Sequence, residues 1–454
     1  MAARWAHNPK VVSSSLAPAT KQEVERTLDL FFVPFLTELV APSCTGGKSE
    51  VTLLNQINNH SAMKQIAILF EGDINRRLGV FNAVINRVKH LEQIADYKID
   101  VHMLQVYDGW LMRRVRHSKR VAFRPDEIEA DGVKVHVTWF RRRWSDAILH
   151  RLFHKPPRAL MHRLHRLGWE MRGHDLVSAH DRIMGHAAVF AGKKLHIPSF
   201  ITWHGASIYT DPPRDPMIKE MTIKLLHEAT CNFFVSQGLL DKVHAELTDG
   251  FPAEILLNGA SEQFQRYSDE KRAQMREKYG VENDKKVVAF IGRFEPVKNV
   301  TLLPDIYQKI EEQYGKELEF WAIGDGIQLE ETKRLMTAKD VKCHFTGKVP
   351  PEEIPDLLNC VDLLVLPSSL EGLPLVVIEA LSCGAHVVAT NVIGTAEAVG
   401  HENAIDLGDH FVDRFAARAV ELLHGDIEQQ LPPEVSWTAT AVKENQIYHH
   451  FLYK

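Results

Sequence analysis

Residues 361–390 read VDLLVLPSSLEGLPLVVIEALSCGAHVVAT, and how this stretch folds decides the architecture. The apolar run LLVL stops at Pro367, Glu371 and Gly372 form a turn, and Pro374 suits the first position of a helix through LVVIEALSCG. AHVVAT then opens a second apolar run. Strand, turn, helix, strand is a βαβ unit, whose strands are apolar throughout because helices cover both faces of a parallel sheet. Free N–H groups from Leu373 to Val376 would leave the strand's carboxyl end facing outward, where a phosphate or sugar hydroxyl binds.

The same stretch places Glu371 and Glu379 eight positions apart. They are a catalytic pair, two ligands for different parts of one substrate, or ordinary helix surface. At 1.5 Å per residue the helical separation is about 12 Å. Hydrolases that use two carboxylates hold them roughly 5 to 10 Å apart. A ligand that meets one glutamate at each end fits better, such as a sugar joined through a diphosphate to a ribose; the solvated helix surface stays open beside it.

Working outward, residues 285–405 repeat the pattern. KKVVAFIGRF, LEFWAIGDG, VKCHFTG, VDLLVLPSS and AHVVATN are five candidate buried strands, separated by helical stretches such as TLLPDIYQKIEEQYG and EEIPDLLNC. KQIAILFEG, GVFNAVINRVKHLEQI and YKIDVHMLQV open an earlier series of the same kind. Two doubly wound domains in tandem follow, with their cleft as the expected ligand site. The expected boundaries are an N-terminal extension over 1–60, a first domain over 61–255, a second over 256–432 and a final helix over 433–454.

The 454 residues, 45% hydrophobic and 25% charged, suffice to bury a core without disulfides or metals. Five scattered cysteines lack any CxxC spacing, which fits a reducing compartment. The opening MAARWAHNPKVVSSS has no apolar core of a signal peptide, and no run approaches the roughly 18 apolar residues of a membrane span. The expected location is cytoplasmic, with a peripheral association at the inner face of the membrane as an option. That option comes from residues 112–172, where 16 Lys and Arg face 6 Asp and Glu although the whole chain is at −5. Trp139, Trp144, Leu152, Phe153, Leu164 and Trp169 are interspersed there, a mixture suited to an anionic membrane or a lipid-diphosphate acceptor, or else to a solvated surface packed on the first domain. The negative overall charge and the lack of a recognised module argue against nucleic acid.

Two further stretches carry chemistry. GRFEPVKNV sets Gly292, Arg293 and Lys298 in a loop at the carboxyl edge of the second domain's first strand, where two cations can neutralise a pyrophosphate. SFITWHGASIYTD brings His204 out of a buried strand of the first domain; it is either bonded to backbone or facing a ligand in the cleft.

The series GRFEPVKN, AIGDG, HFTGKVPPEEI and SSLEGLPLVVIEALSCGAHVVATNVIGTAE, preceded by DLVSAHD, PSFITWHG, FFVSQGLLDKV and ILLNGASEQF, resembles the retaining GT-B-fold glycosyltransferases of family four, glycosyl transferases group 1. The resemblance runs from about residue 65 to the C-terminus. It implies two Rossmann-like domains facing across a cleft, a C-terminal helix crossing back to the first, and transfer from a nucleotide-diphosphate sugar without a metal or other cofactor.

By the same resemblance, Arg293 and Lys298 would bind the donor diphosphate, Glu371 would lie by the transferred sugar and Glu379 would hold the ribose. Gly372, Leu373, Pro374 and Leu375 would touch sugar and phosphate. Gly347, Lys348 and Val349 would line the base pocket, His204 would meet the sugar, and Gly79 would approach the diphosphate. The acceptor would be a glycan or lipid-linked sugar. Two departures stand out: only Gly79 follows Arg76, Arg77 and Leu78 where the family usually has two adjacent glycines, and Val297 replaces the common glutamate. An epimerase or phosphorylase on the same architecture, or a non-catalytic nucleotide-sugar-binding protein, are the alternatives; an epimerase would convert the donor with no acceptor. An NAD oxidoreductase is disfavoured because AIGDGIQ has only a fragment of the glycine fingerprint.

Overall fold

The computed structural model describes residues 63–74, 79–116, 121, 123–142, 144–145, 156–282, 284–314, 318–425 and 429–453. The expected extension over 1–60 lies outside these, as do Arg76, Arg77, Leu78, Leu152 and Phe153.

The first sheet contains β1 (Lys64–Glu71), β2 (Tyr97–Asp108), β3 (Glu127–Ala130), β4 (Val133–Arg142), β5 (Leu176–His180), β6 (Ser199–Trp203), β7 (Cys231–Phe234) and β8 (Ala253–Ile255). Their order is β3-β4-β2-β1-β5-β6-β7-β8. Every pairing is parallel except β3 with β4, an edge hairpin. Its turn, Asp131-Gly132, has positive φ at both residues, as a two-residue hairpin requires.

The second sheet is wholly parallel: β9 (Lys286–Ile291), β10 (Leu318–Ile323), β11 (Cys343–Gly347), β12 (Leu363–Leu366), β13 (His386–Thr390) and β14 (Ala404–Ile405), in the order β11-β10-β9-β12-β13-β14. Five strands were expected here; the two-residue β14 adds a sixth, too short to leave a periodic signal. The strands run apolar because both faces are covered: in β9 only Lys286 escapes full burial. The apolar core around this sheet continues into Ile201, Trp203 and Phe234 of the first half.

The α/β class and two doubly wound sheets are as expected, and so is the returning helix. That helix, Trp437–Leu452, is capped by Ser436, whose hydroxyl accepts from Ala439 N–H at 3.2 Å. It packs on the helix Gly79–Ile94 and sets Tyr448 against Phe200 of β6, ring centroids 5.1 Å apart. Glu444 meets Arg87 at 2.7 Å with both side chains 2% exposed; Arg87 also donates to Thr202 Oγ1 and Tyr448 to Glu444. A buried pair with a further hydrogen bond on each side in this way fixes where the last helix docks.

Each sheet reverses winding direction once, between β1 and β5 in the first and between β9 and β12 in the second. Ligands in open α/β sheets bind outside the carboxyl ends of strands at such switch points.

Candidate functional site

The second sheet's switch point joins the two stretches that the sequence singled out. After β9 the chain makes a 3-10 turn at Pro296–Lys298; Asn299 then takes φ +48, a left-handed value that asparagine tolerates. After β12 it runs through residues 367–374 into the helix Leu375–Ser382. Pro374 sits at the cap, not at the first helical position as expected, so the helix starts one residue later. The two loops are stitched by Ser369 N–H to Val297 O at 2.8 Å and Asn299 Nδ2 to Pro367 O at 3.0 Å.

This stitching brings Lys298 Nζ to 2.6 Å from Glu371 Oε1, with side chains 17% and 11% exposed. Arg293 behaves differently: it is exposed and bonded to Glu295 at 2.7 Å. Of the two cations expected to act together, Lys298 is therefore held by Glu371, while Arg293 is held within its own loop. Gly292 N–H donates to Ile323 O, and a Cβ on Gly324 would fall 1.9 Å from Gly292 O, so the β9 and β10 loops touch backbone to backbone.

Glu379 lies on the helix, half-buried, and burial pushes its carboxyl up to about 7. Among the described residues it has no hydrogen-bond or ion-pair partner. A half-buried carboxylate with no partner among the described residues is costly to desolvate, and a ligand's hydroxyls could offset that cost. Leu373 and Pro374 are buried and Leu375 packs on the core. Gly347 ends β11 at φ +69, Lys348 is exposed and Val349 packs against the core.

The first half meets this surface closely. A Cβ on Gly372 would fall 2.3 Å from His204 O, and one on Gly79 would lie 3.8 Å from Leu375 Cδ1. Gly394, at φ +71, presses on Gly372 from the other side: a Cβ there would fall 1.7 Å from Gly372 O, to which Ser236 Oγ donates at 3.2 Å. Glu397 accepts from Gln237 N–H and Gly238 N–H, each at 2.8 Å, capping the first-half helix Gln237–Glu246 with a second-half carboxylate. The cleft is thus bounded by contacts that admit only small residues.

His204 follows β6 with Nε2 2.8 Å from His180 Nδ1, and its backbone N–H donates to Asp181 Oδ1 at 3.2 Å. Burial above all holds His204 down to about 4, with Asp181 opposing and Arg87 adding to the shift; burial, Arg87 and His204 hold His180 well below its ordinary value. Both rings are neutral near pH 7, and Nδ1 is the nitrogen of His204 left for a ligand. Asp181 also accepts from Ser207 Oγ at 2.5 Å and adopts φ +62, a strained value for a non-glycine residue, at the turn from β5 into the helix Asp181–Leu195.

The sequence assigns no individual role to five residues that the structure brings to this region. Glu71 ends β1 and keeps an exposed side, yet crowding by protein, then repulsion from Asp181, push its carboxyl up to about 7 against the pull of Arg182. Burial and the nearby Glu371 raise the Tyr209 hydroxyl, which places a first-half phenol close to that glutamate. His180 and Asp181 lie in DLVSAHD, a stretch noticed as a whole, and Glu397 lies in NVIGTAE.

On the basic stretch, Leu164 belongs to the core and Trp139 Nε1 donates to Pro125 O, whereas Trp144 and Trp169 are exposed. No helix among the described residues is long and apolar enough to cross a membrane. Among the described residues no group of three or more His, Cys, Asp and Glu is placed to hold a metal ion.

Comparison with known proteins agrees with this architecture. Residues 271–431 match the family profile described as Glycosyl transferases group 1. The chain is 27% identical over 264 residues to the putative teichuronic acid biosynthesis glycosyltransferase TuaC of Bacillus subtilis, covering 58% of this chain and 64% of that one. It is 24% identical over 257 residues to N-acetyl-alpha-D-glucosaminyl L-malate synthase of Bacillus anthracis, covering 55% and 65%. These matches thus span less than two thirds of either relative's length.

Among solved structures, sucrose-phosphate synthase of Thermosynechococcus elongatus superposes with a TM-score of 0.61 at 16% identity, covering 85% of this chain and 98% of that one. HepE of Anabaena, in complex with UDP, gives 0.62 at 16% identity, covering 86% and 100%. The described chain therefore has the GT-B fold of these glycosyltransferases, and its residues 271–431 match glycosyl transferases group 1.

Proposed function

We propose that this protein is a retaining glycosyltransferase that moves a sugar from a nucleotide-diphosphate sugar to an acceptor hydroxyl in polysaccharide, glycolipid or glycoconjugate biosynthesis. The observation that carries the reading is the arrangement around Gly372: Lys298 and Glu371 paired at one end of the helix start, an unpartnered Glu379 further along the same helix, and His204 backbone packed on Gly372 from the first half. HepE, with the same fold, was solved in complex with UDP, which supports a nucleotide-sugar donor here.

In this reading the bond between the anomeric carbon and the diphosphate oxygen breaks. Its electron pair leaves with the phosphate, and charge grows there while the sugar becomes cationic. Lys298, Arg293 and the first-turn N–H groups of the helix Leu375–Ser382 stabilise the departing phosphate without a metal. Glu371 and the neutral His204 ring border the sugar. The acceptor oxygen bonds to the anomeric carbon on the face the phosphate leaves, and its proton passes to the leaving phosphate oxygen, so configuration is retained. Glu379 takes the ribose hydroxyls, and Gly347, Lys348 and Val349 take the base.

A thermal-shift screen of nucleotide sugars followed by product analysis tests the reading, with the anomeric proton coupling of the product read by NMR. Transfer that requires an acceptor and retains configuration is expected. Conversion of the donor alone would place the chain with the epimerases, and an inverted product would overturn retention.

A further inference from the structure

A cavity of about 220 Å³ opens on the carboxyl edge of the first sheet, where Tyr107, Trp110, Arg113, Arg124 and Arg141 line it together with Asp108. It is set where β2 and β4 end as a parallel pair, Asp108 beside Arg142, and β2 runs four residues beyond Leu104, the partner of Glu71 at the end of β1. It therefore lies on the same sheet edge as Glu71 and His204, on the side of β1 away from β5.

Three guanidiniums converge on this small volume. Arg124 is spoken for in part, donating to Tyr107 Oη at 2.9 Å and covering the Tyr107 ring at 3.8 Å. Arg141 lies against Gly109, where a Cβ would be 3.0 Å from its Nε. Neither Arg113 nor Arg141 has a carboxylate partner among the described residues. Among the described lining residues Asp108 is the carboxylate, with Arg142 at 3.7 Å, and the three arginines leave that described lining with an excess of positive charge. Trp110, 60% exposed, stands beside them although an indole so exposed gains nothing from burial. Planar guanidiniums suit bidentate recognition of phosphate or carboxylate, and an open indole is a platform for a sugar's C–H face.

The geometry points to an acceptor subsite for an anionic sugar: the cavity takes a sugar bearing a phosphate or carboxylate, with Arg113 and Arg141 on the anion and Trp110 under the ring. As an acceptor site this rests on the transferase reading above; the binding chemistry itself rests on the cavity alone. Bound there, the anionic sugar occupies the first-half edge next to Glu71, and no residue of the donor surface is used.

Binding to the full chain is measured by titration calorimetry with glucose 6-phosphate, glucuronate, glucose and inorganic phosphate, with UDP and GDP as donor-side controls. Glucose 6-phosphate or glucuronate should bind at least tenfold more tightly than glucose or inorganic phosphate. Arg113→Ala and Arg141→Ala should each weaken that binding about tenfold, the scale of one charge-assisted hydrogen bond, and Trp110→Ala should weaken it while leaving the preference for the charged sugar. Nucleotide affinity and melting temperature should stay at the wild-type values. Equal binding of glucose, inorganic phosphate as tight as the sugar phosphate, or unchanged binding in the arginine variants would overturn the inference. So would arginine-dependent binding to phosphatidylglycerol vesicles with no binding of either anionic sugar, which would assign the cavity to a membrane surface. Nucleotide binding without sugar-phosphate binding removes this subsite alone. Sugar-phosphate binding without nucleotide binding supports the anion site and removes the transferase reading.

Discussion

Lys298 Nζ and Glu371 Oε1 are 2.6 Å apart, joining the loop after β9 to the loop after β12 across the second sheet's switch point. The pair is nearly buried, so each side chain compensates the other's loss of water, and both are held where the proposed donor's phosphate and sugar would meet. Replacing either by Ala should therefore lower transfer at least 100-fold with circular dichroism unchanged. Near-normal turnover of Lys298→Ala or Glu371→Ala in a product assay would refute their roles. In a double-mutant cycle on melting temperature, the double variant should lose less than the sum of the singles, because each single variant strands the other charge.

Glu379 should make the unliganded protein respond to pH in a specific direction. Its carboxyl is raised from 4.5 to about 7 by burial, so the folded state holds the proton longer than the unfolded one. The contribution to stability is fully present below about pH 4.5 and is lost as pH rises through 7. Glu379→Gln should remove this loss: its melting temperature should exceed wild type at pH 8 and match it near pH 4. The same variant should bind nucleotide about tenfold or more weakly, read by titration calorimetry, because a neutral amide accepts more weakly from ribose hydroxyls.

Gly372 is a point of close backbone approach between the halves. A methyl group there meets His204 O at 2.3 Å, and backbone has little room to move because Gly394 presses on Gly372 from the other side. Gly372→Ala should cost about 1–3 kcal/mol, as overpacking does, and should reduce turnover along with it. Chemical denaturation reads the first effect and the product assay the second; an unaltered midpoint would show that the halves separate without cost.

A buried charge pair, Arg87 with Glu444, ties the last helix to the first half in addition to its packing. Glu444→Ala leaves Arg87 in the core with only Thr202 as a neutral partner and removes the acceptor for Tyr448. A loss of about 3–5 kcal/mol is expected. Limited proteolysis should then cut within residues 437–452 in the variant and spare them in wild type.

The central strands of the second sheet were legible because they are apolar on both faces and closed by a turn residue: VVAFI before Gly292 and LLVL before Pro367 leave few other readings. The edge hairpin carries a local signal too, Asp131-Gly132 between the short runs of β3 and β4. Of the proposed site, the individual residues could be named from their loops. Their partners could not, since Lys298 and Glu371 are 73 positions apart and no local pattern encodes that distance.

Two doubly wound sheets, the crevice at their carboxyl edges and the chemical types along it follow from periodicity and turn residues, which act over a few neighbouring positions. Lys298 bound to Glu371 while Arg293 turns to Glu295, His204 bonded through one nitrogen to His180, a Glu397 carboxylate capping a helix of the other half, and a half-buried Glu379 with no partner among the described residues are decisions of tertiary packing. The physical reason is that ion pairing and desolvation depend on what the fold brings within a few ångströms, and that is a property of the assembled sheets rather than of any one stretch of chain.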